Sequence, residues 1–187
     1  MMYSVYYDDV VPVEYCQMII EKFESAGSSQ QEKVVLENHR SFVEINLNKH
    51  EEWKIIQNDL VQIFNACIQR YRKDYNIHER MWPEQYGYEQ FRMKRYMPNN
   101  VDGIKLHVDV ENHASARRFL VFFLYLNDVE EGGETAFQSD KDGVPEVLVK
   151  PRAGRVLIFP SLWTHPHTAV TPISGMKYIV GGYLHYL

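Results

Sequence analysis

The chain has 187 residues, 45% of them apolar, enough to bury one sizeable core. Its 20 Lys and Arg against 25 Asp and Glu give a net charge of −5 with no block of like sign, which argues against a broad phosphate-binding face and makes nucleic acid an unexpected partner. No stretch approaches the ~20 apolar residues of a membrane span, and residues 1–9 lack a cationic opening and a long apolar run, so the expectation is a cytoplasmic protein without signal peptide or membrane partner.

In chain order, residues 13–27 carry Val13, Tyr15, Cys16, Met18, Ile19, Ile20 and Phe23 at helical spacing and stop at Ala26-Gly27-Ser28-Ser29. Residues 33–47 alternate as a strand, with Val43, Ile45 and Leu47 on one side. From 51 to about 75 the series Trp53, Ile56, Leu60, Ile63/Phe64, Cys67/Ile68, Tyr71 predicts a long amphipathic helix, its acidic start Glu51-Glu52 matched to the dipole. The run Arg70, Arg72, Lys73 reads as its solvated face. Cys16 and Cys67 sit in these apolar patterns with no CxxC, as two buried thiols of a reducing compartment. A loop is expected around Trp82-Pro83-Glu84.

From Phe91 the character changes. Eight short apolar or alternating runs follow, at 91–97, 104–109, 118–127, 134–138, 145–149, 155–160, 163–168 and 176–186. Turn residues separate them, among them Pro98-Asn99-Asn100, Gly132-Gly133, Asp142-Gly143, Gly154 and Ser174-Gly175. Eight strands so punctuated predict a sandwich or jelly roll, with the N-terminal helices covering the outer face of one sheet. The organisation expected is one α+β domain over 1–187: a helical support region to residue 90 with a short strand or two, and a β-rich core from 91.

Chemistry enters at His107-Val108-Asp109 and, much later, at Trp163-Thr164-His165-Pro166-His167. In a strand His107 and Asp109 point to one face because side chains alternate. Two imidazoles and one carboxylate are a 2-His-1-carboxylate facial set, which holds ferrous iron and leaves coordination positions open. With no thiolate nearby, a closed structural zinc site is not expected. By itself His-x-Asp is more often a hydrogen-bonded surface pair. His165 and His167, two apart in one expected strand, both qualify as the third ligand. His39, His50, His78 and His113 lie in polar surroundings and read as solvated, and His185 as a packed terminal-strand side chain.

Context adds weight. Arg118 stands before Tyr125-Leu126-Asn127; then come Gly132-Gly133-Glu134-Thr135-Ala136-Phe137, Pro151-Arg152-Ala153-Gly154, Phe159-Pro160, the histidine pair and Lys177. In that order, over about residues 89–187, the series resembles the prolyl 4-hydroxylase-like family of Fe(II)/2-oxoglutarate dioxygenases, especially its small bacterial and phage members. The resemblance implies a double-stranded β-helix, Fe(II) and 2-oxoglutarate, with ascorbate as a further ligand. It places His107, Asp109 and His167 on the metal. His167 fits because it precedes Lys177 by ten residues, the family spacing between distal histidine and basic residue; His165 is then a neighbour at the mouth.

It further implies that Lys177 binds the distal carboxylate of 2-oxoglutarate, with Tyr125 on the same carboxylate and Tyr96 at the inner end. Lys177 is unusual in its own right, a cation in the apolar strand Met176-Lys177-Tyr178-Ile179-Val180. Arg118 and Thr135 match motif positions as structural residues or, for Arg118, at the substrate entrance; Tyr183 is a pocket wall. Residues 76–90 and 110–117 are the expected lids. The implied reaction uses O₂ to hydroxylate a prolyl residue of a peptide or protein, releasing succinate and CO₂. Asp109 argues against halogenation, which in relatives needs a small residue there. The alternatives are hydroxylation of a free amino acid or other small molecule, base oxidation in nucleic acid, which the acidic balance disfavours, and a non-catalytic jelly-roll binding module.

Overall fold

The computed structural model describes residues 2–138 and 144–187; the turn expected at Asp142-Gly143 lies outside the described residues. The helices form where apolar periodicity places them. α1 (Val13–Ser25) starts after Pro12, whose fixed φ and missing N–H suit a helix entrance, and buries Cys16, Ile19 and Phe23. α2 (Lys54–Asp74) follows a 3-10 turn at Glu51–Trp53 and buries Ile56, Leu60, Phe64, Cys67, Ile68 and Tyr71. Arg72 and Lys73 stand in its last turn, where they complement the dipole. The basic run also packs: Arg70 lies over the Tyr7 ring at 4.1 Å and Arg72 over Trp82 at 5.0 Å. Both cysteines are free and buried.

The strands described before α2 are β1 (Val5–Tyr7), β2 (Glu32–Leu36) and β3 (Arg40–Asn46); β4 (Tyr86–Tyr88) follows it. The run expected as one strand over 33–47 is a hairpin, because Asn38 takes a left-handed turn at φ 58° and sets Leu36 opposite Arg40. β1 and β4 are each three residues long, too short to show a period. Seven of the eight later runs are strands over most of their length, and of the 163–168 run only His167 and Thr168 are extended: β5 (Arg92–Tyr96), β6 (Gly103–His107), β7 (Arg118–Tyr125), β8 (Thr135–Gln138), β9 (Pro145–Val149), β10 (Val156–Pro160), β11 (His167–Ala169) and β12 (Lys177–Tyr186).

Their order, β10-β7-β12-β5 in one layer and β6-β11-β8-β9 in the other, with β3 bridging β5 and β6, is a jelly roll or double-stranded β-helix. All described pairings are antiparallel. Period two decides what each layer buries. Phe122 and Leu124 of β7, Val156 and Ile158 of β10, and Val180 and Leu184 of β12 join the helices in the main core. The alternate residues Val121, Tyr125, Leu157 and Phe159 turn into the barrel. The helices cover the outer face of the β10-β7-β12-β5 layer, as the sequence predicts.

Two glycines have steric reasons. Gly132 takes φ 73° at the turn bridging to Pro172, where a Cβ would strike the Thr171 carbonyl. Gly181, mid-β12, lies so close to β7 that a Cβ would fall 2.6 Å from Phe123 Cα. Gly181→Ala must push apart the two central strands. The expected cost is about 1–3 kcal/mol or more, read as a lowered denaturant midpoint with near-native spectra.

Candidate active site

β6 and β11 lie side by side with His167 opposite His107. That pairing brings two sequence-remote imidazoles to ring centroids 4.2 Å apart. Asp109, just past the end of β6, turns its carboxylate toward the same point, and Oδ2 is 3.6 Å from His167 Nε2. One ligand atom from each of His107, Asp109 and His167 falls within 4.8 Å of the others. Each histidine donates Nδ1–H to a backbone carbonyl: His107 to Lys105 at 2.8 Å, His167 to His165 at 3.0 Å. This fixes the tautomer that leaves Nε2 bare for a metal. Burial beside His167 pushes the His107 pKa down to about 4, so its ring is neutral at physiological pH.

The carboxylate shows the clearest sign of a missing partner. Tyr183 donates its hydroxyl to Asp109 Oδ1 at 2.8 Å, whereas Oδ2 is buried with no hydrogen-bond partner. Leaving a buried carboxylate oxygen bare is costly unless a cation takes it. Two imidazoles and one carboxylate oxygen, with no thiolate, suit ferrous iron.

His165 is elsewhere, contrary to its expected place on the strand. Pro166 has no N–H for the ladder, so β11 begins only at His167, and His165 closes a turn onto Leu162. Its Nε2 donates to the Met2 carbonyl at 2.8 Å and its Nδ1 pairs with the Thr164 hydroxyl. Both nitrogens are taken, so it does not line the mouth.

The cluster opens into a cavity of about 110 Å³ lined also by Tyr96, Thr135, Lys177 and Ile179. Lys177 is 1% exposed. Its Nζ lies 5.2 Å from the Tyr96 ring and 5.6 Å from the Tyr125 ring. Burial pulls its pKa down to about 7, with Glu134 acting in the opposite sense. A buried ammonium with aromatic neighbours and no ion pair among the described residues is a receptor for an anion. Tyr96 presents a buried hydroxyl to the same space. The Tyr125 hydroxyl, expected to contact the anion directly, sits 2.7 Å from Thr135 Oγ1, and it is Thr135 that lines the cavity.

The profile of the 2OG-Fe(II) oxygenase superfamily matches residues 91–185, 95 of the 187 residues, from β5 to the end of β12. The chain belongs to that superfamily. The cofactors of this oxygenase are Fe(II) and 2-oxoglutarate, it uses O₂, and it is a 2-oxoglutarate-dependent dioxygenase. No curated protein matches the chain in sequence.

The oxygenase is similar in structure to the viral collagen prolyl hydroxylase of Paramecium bursaria Chlorella virus-1, solved with 2OG. The TM-score is 0.66 at 17% identity, covering 99% of this chain and 96% of that one. It is similar too to a Pseudomonas putida prolyl-4-hydroxylase, TM-score 0.69 at 18% identity over 98% and 92%. A prolyl hydroxylase from Trichoplax adhaerens, in complex with a hypoxia-inducible-factor peptide fragment, gives 0.70 at 17% over 98% and 83%. No described helix of the oxygenase is long and apolar enough to cross a membrane.

Around the site, the oxygenase carries a clamp that sequence reasoning only brushed. Arg118 donates to both Glu89 oxygens at 2.9 Å and to the Asp109 carbonyl at 3.1 Å, and stacks over Tyr183 at 4.0 Å. It therefore braces the carboxylate loop and its tyrosine together. The signal for Tyr183 was present: Lys177, Ile179, Gly181 and Tyr183 are two apart and share the inner face of β12. His39 is half-buried rather than solvated, with its ring 6.4 Å from His107. Of the expected lids, Tyr88, Glu89 and Gln90 line a groove of about 530 Å³ beside the inner cavity, and Glu111 lines the cavity itself.

Proposed function

We propose that this dioxygenase hydroxylates a prolyl residue in a peptide or protein, consuming 2-oxoglutarate and O₂ and releasing succinate and CO₂. In this reading His107 Nε2, Asp109 Oδ2 and His167 Nε2 hold the ferrous ion. Lys177, with the Thr135–Tyr125 hydroxyl pair, takes the distal carboxylate of 2-oxoglutarate, and Tyr96 lies along its length. One observation carries the assignment: a bare buried carboxylate oxygen and a bare buried ammonium line one small cavity, wanting a cation and an anion respectively. The prolyl substrate is supported by the chemistry named for the similar structures and by the groove that adjoins the cavity.

When bound, the iron supplies the redox chemistry that divides O₂ between 2-oxoglutarate and the substrate C–H bond. The chain's own residues position and exclude. The Nδ1–H bonds aim both imidazoles, and Tyr183 holds Oδ1, which leaves Oδ2 free for the ion it would help to hold. Val121, Phe123 and Ile179 give the cavity apolar walls, which strengthens every charge interaction inside it.

Pure protein should convert 2-oxoglutarate to succinate only with iron and O₂, and a prolyl peptide should accelerate this and gain one oxygen atom. Absence of iron binding together with absence of succinate would end this reading. Tyr183→Phe, which strips one oxygen of its donor, is expected to weaken metal binding by about 10–100-fold, measured by anaerobic Fe(II) titration.

A further inference from the structure

On β5, alternation sends Arg92, Lys94 and Tyr96 to the barrel interior while Met93 joins the helix-covered core. The inner wall is rich in charge; two of its cations are matched and, beside the Lys177 anchor, another is not. Arg92 pairs with Glu44, and Arg118 makes its two-pronged bond to Glu89. The unmatched one is Lys94. Its Nζ rests 4.7 Å from the centre of the Phe42 ring, and it makes no hydrogen bond or ion pair with any described residue. Beside it Arg40 keeps Nε buried without a partner and only approaches Glu111, at 3.8 Å.

Lys94 and Arg40 both line the cavity that holds His107, Asp109 and His167 and the groove next to it. The register fixes their relation to the co-substrate anchor. Tyr96 faces Lys177 across the β5–β12 ladder, and Lys94 faces Ile179. Lys94 therefore lies two residues, roughly 7 Å, from the anchor, toward the Gly181 end that borders the groove. Glu44 and Asp109 attract its charge, while Arg92 and Arg40 repel it. An ion held by Asp109 would cancel much of that attraction, leaving Lys94 more in need of an anion.

We propose that Lys94, assisted by Arg40, receives a carboxylate of the primary substrate close to the carbon that is oxidised. This rests on the reading of the site as a hydroxylating centre and narrows its substrate class. The carboxylate is either the main-chain carboxylate of a free amino acid or chain end, or an acidic side chain beside the target residue. A neutral mid-chain prolyl amide with no acidic neighbour leaves Lys94 unmatched.

The test is calorimetry on anaerobic Mn(II)-loaded protein saturated with 2-oxoglutarate, where binding is read without turnover. One arm titrates free L-amino acids, proline among them, each against its carboxamide. The other titrates acetylated, amidated prolyl peptides with Glu beside the proline against the same peptides with Gln. In at least one arm the acid should bind about tenfold or more tighter than its neutral partner, as for a close charge pair; which arm responds identifies the source.

Lys94→Gln should erase the gap, Lys94→Arg should retain it, and Arg40→Gln should narrow it. Lys94 and Lys177 repel each other across the cavity, so the 2-oxoglutarate affinity of Lys94→Gln is measured beside the acid–amide gap, and it should change far less than that gap does. The proposal is overturned if acids and amides bind alike, if no acid binds at millimolar concentration, if the gap survives Lys94→Gln, or if that variant loses 2-oxoglutarate itself. Failure of the prolyl reading would look different: no prolyl probe would stimulate succinate formation, while the carboxylate gap remained.

Discussion

Asp109→Ala is expected to abolish stoichiometric iron binding and, with it, succinate formation. Asp109 is the one anionic member of the cluster, and its Oδ2 is buried with nothing but the metal position to satisfy it. Loss of a hydrogen-bonding partner behind a ligand typically costs ~10–100-fold in metal affinity or activity, and loss of the ligand itself should exceed that. His107→Ala and His167→Ala should behave alike. His165→Ala is the control: its nitrogens are engaged by Met2 and Thr164, so the variant should keep one iron per chain. Anaerobic iron titration of the four variants is the measurement. A tightly metallated Asp109→Ala, or an iron-free His165→Ala, would break the assignment.

Lys177→Met should raise the dissociation constant for 2-oxoglutarate at least about 30-fold, because removing one partner of a buried charge pair costs roughly 2–5 kcal/mol. The wild-type pH dependence follows from the same residue. Without co-substrate, burial holds the Lys177 pKa at about 7. A bound carboxylate favours the ammonium and raises that pKa, so binding takes up a proton above about pH 7. Affinity should be flat below that pH and fall by up to about tenfold per unit above it, until the raised pKa of the complex is reached. A dissociation constant unchanged between about pH 6.5 and 9 would count against Lys177 as the anchor.

Stability runs the other way. The folded pKa lies below the ~10.4 of an unfolded lysine, so the free protein gains stability as pH rises between the two values. Lys177→Met should therefore raise Tm near neutral pH without ligand, and 2-oxoglutarate should no longer raise it further.

What the sequence showed depended on the length of the signal. Seven of the eight β runs after residue 90 and the two helices were legible from their apolar patterns and turn punctuation, and the helices landed on the face their apolar stripes require. That His107, Asp109, His167 and Lys177 line one cavity was legible because the chain spaces them as a known motif does. The 33–47 run misled because a single left-handed Asn38 divides two strands of similar composition. His165 misled because Pro166, which delays β11 by removing a ladder donor, was read as part of the strand. Arg40, Lys94 and the Arg118–Glu89 clamp were out of reach. Their meaning lies in which charges find partners across β3, β5 and β12, and pairing partners far apart in sequence leave no local pattern.

The most direct test is a crystal structure of the protein prepared anaerobically with Fe(II) and 2-oxoglutarate. The expected result is one ion bound by His107, Asp109 and His167 and chelated by 2-oxoglutarate, whose far carboxylate reaches Lys177. An ion bound without one of those three side chains, or a 2-oxoglutarate whose distal carboxylate lies away from Lys177, would contradict it.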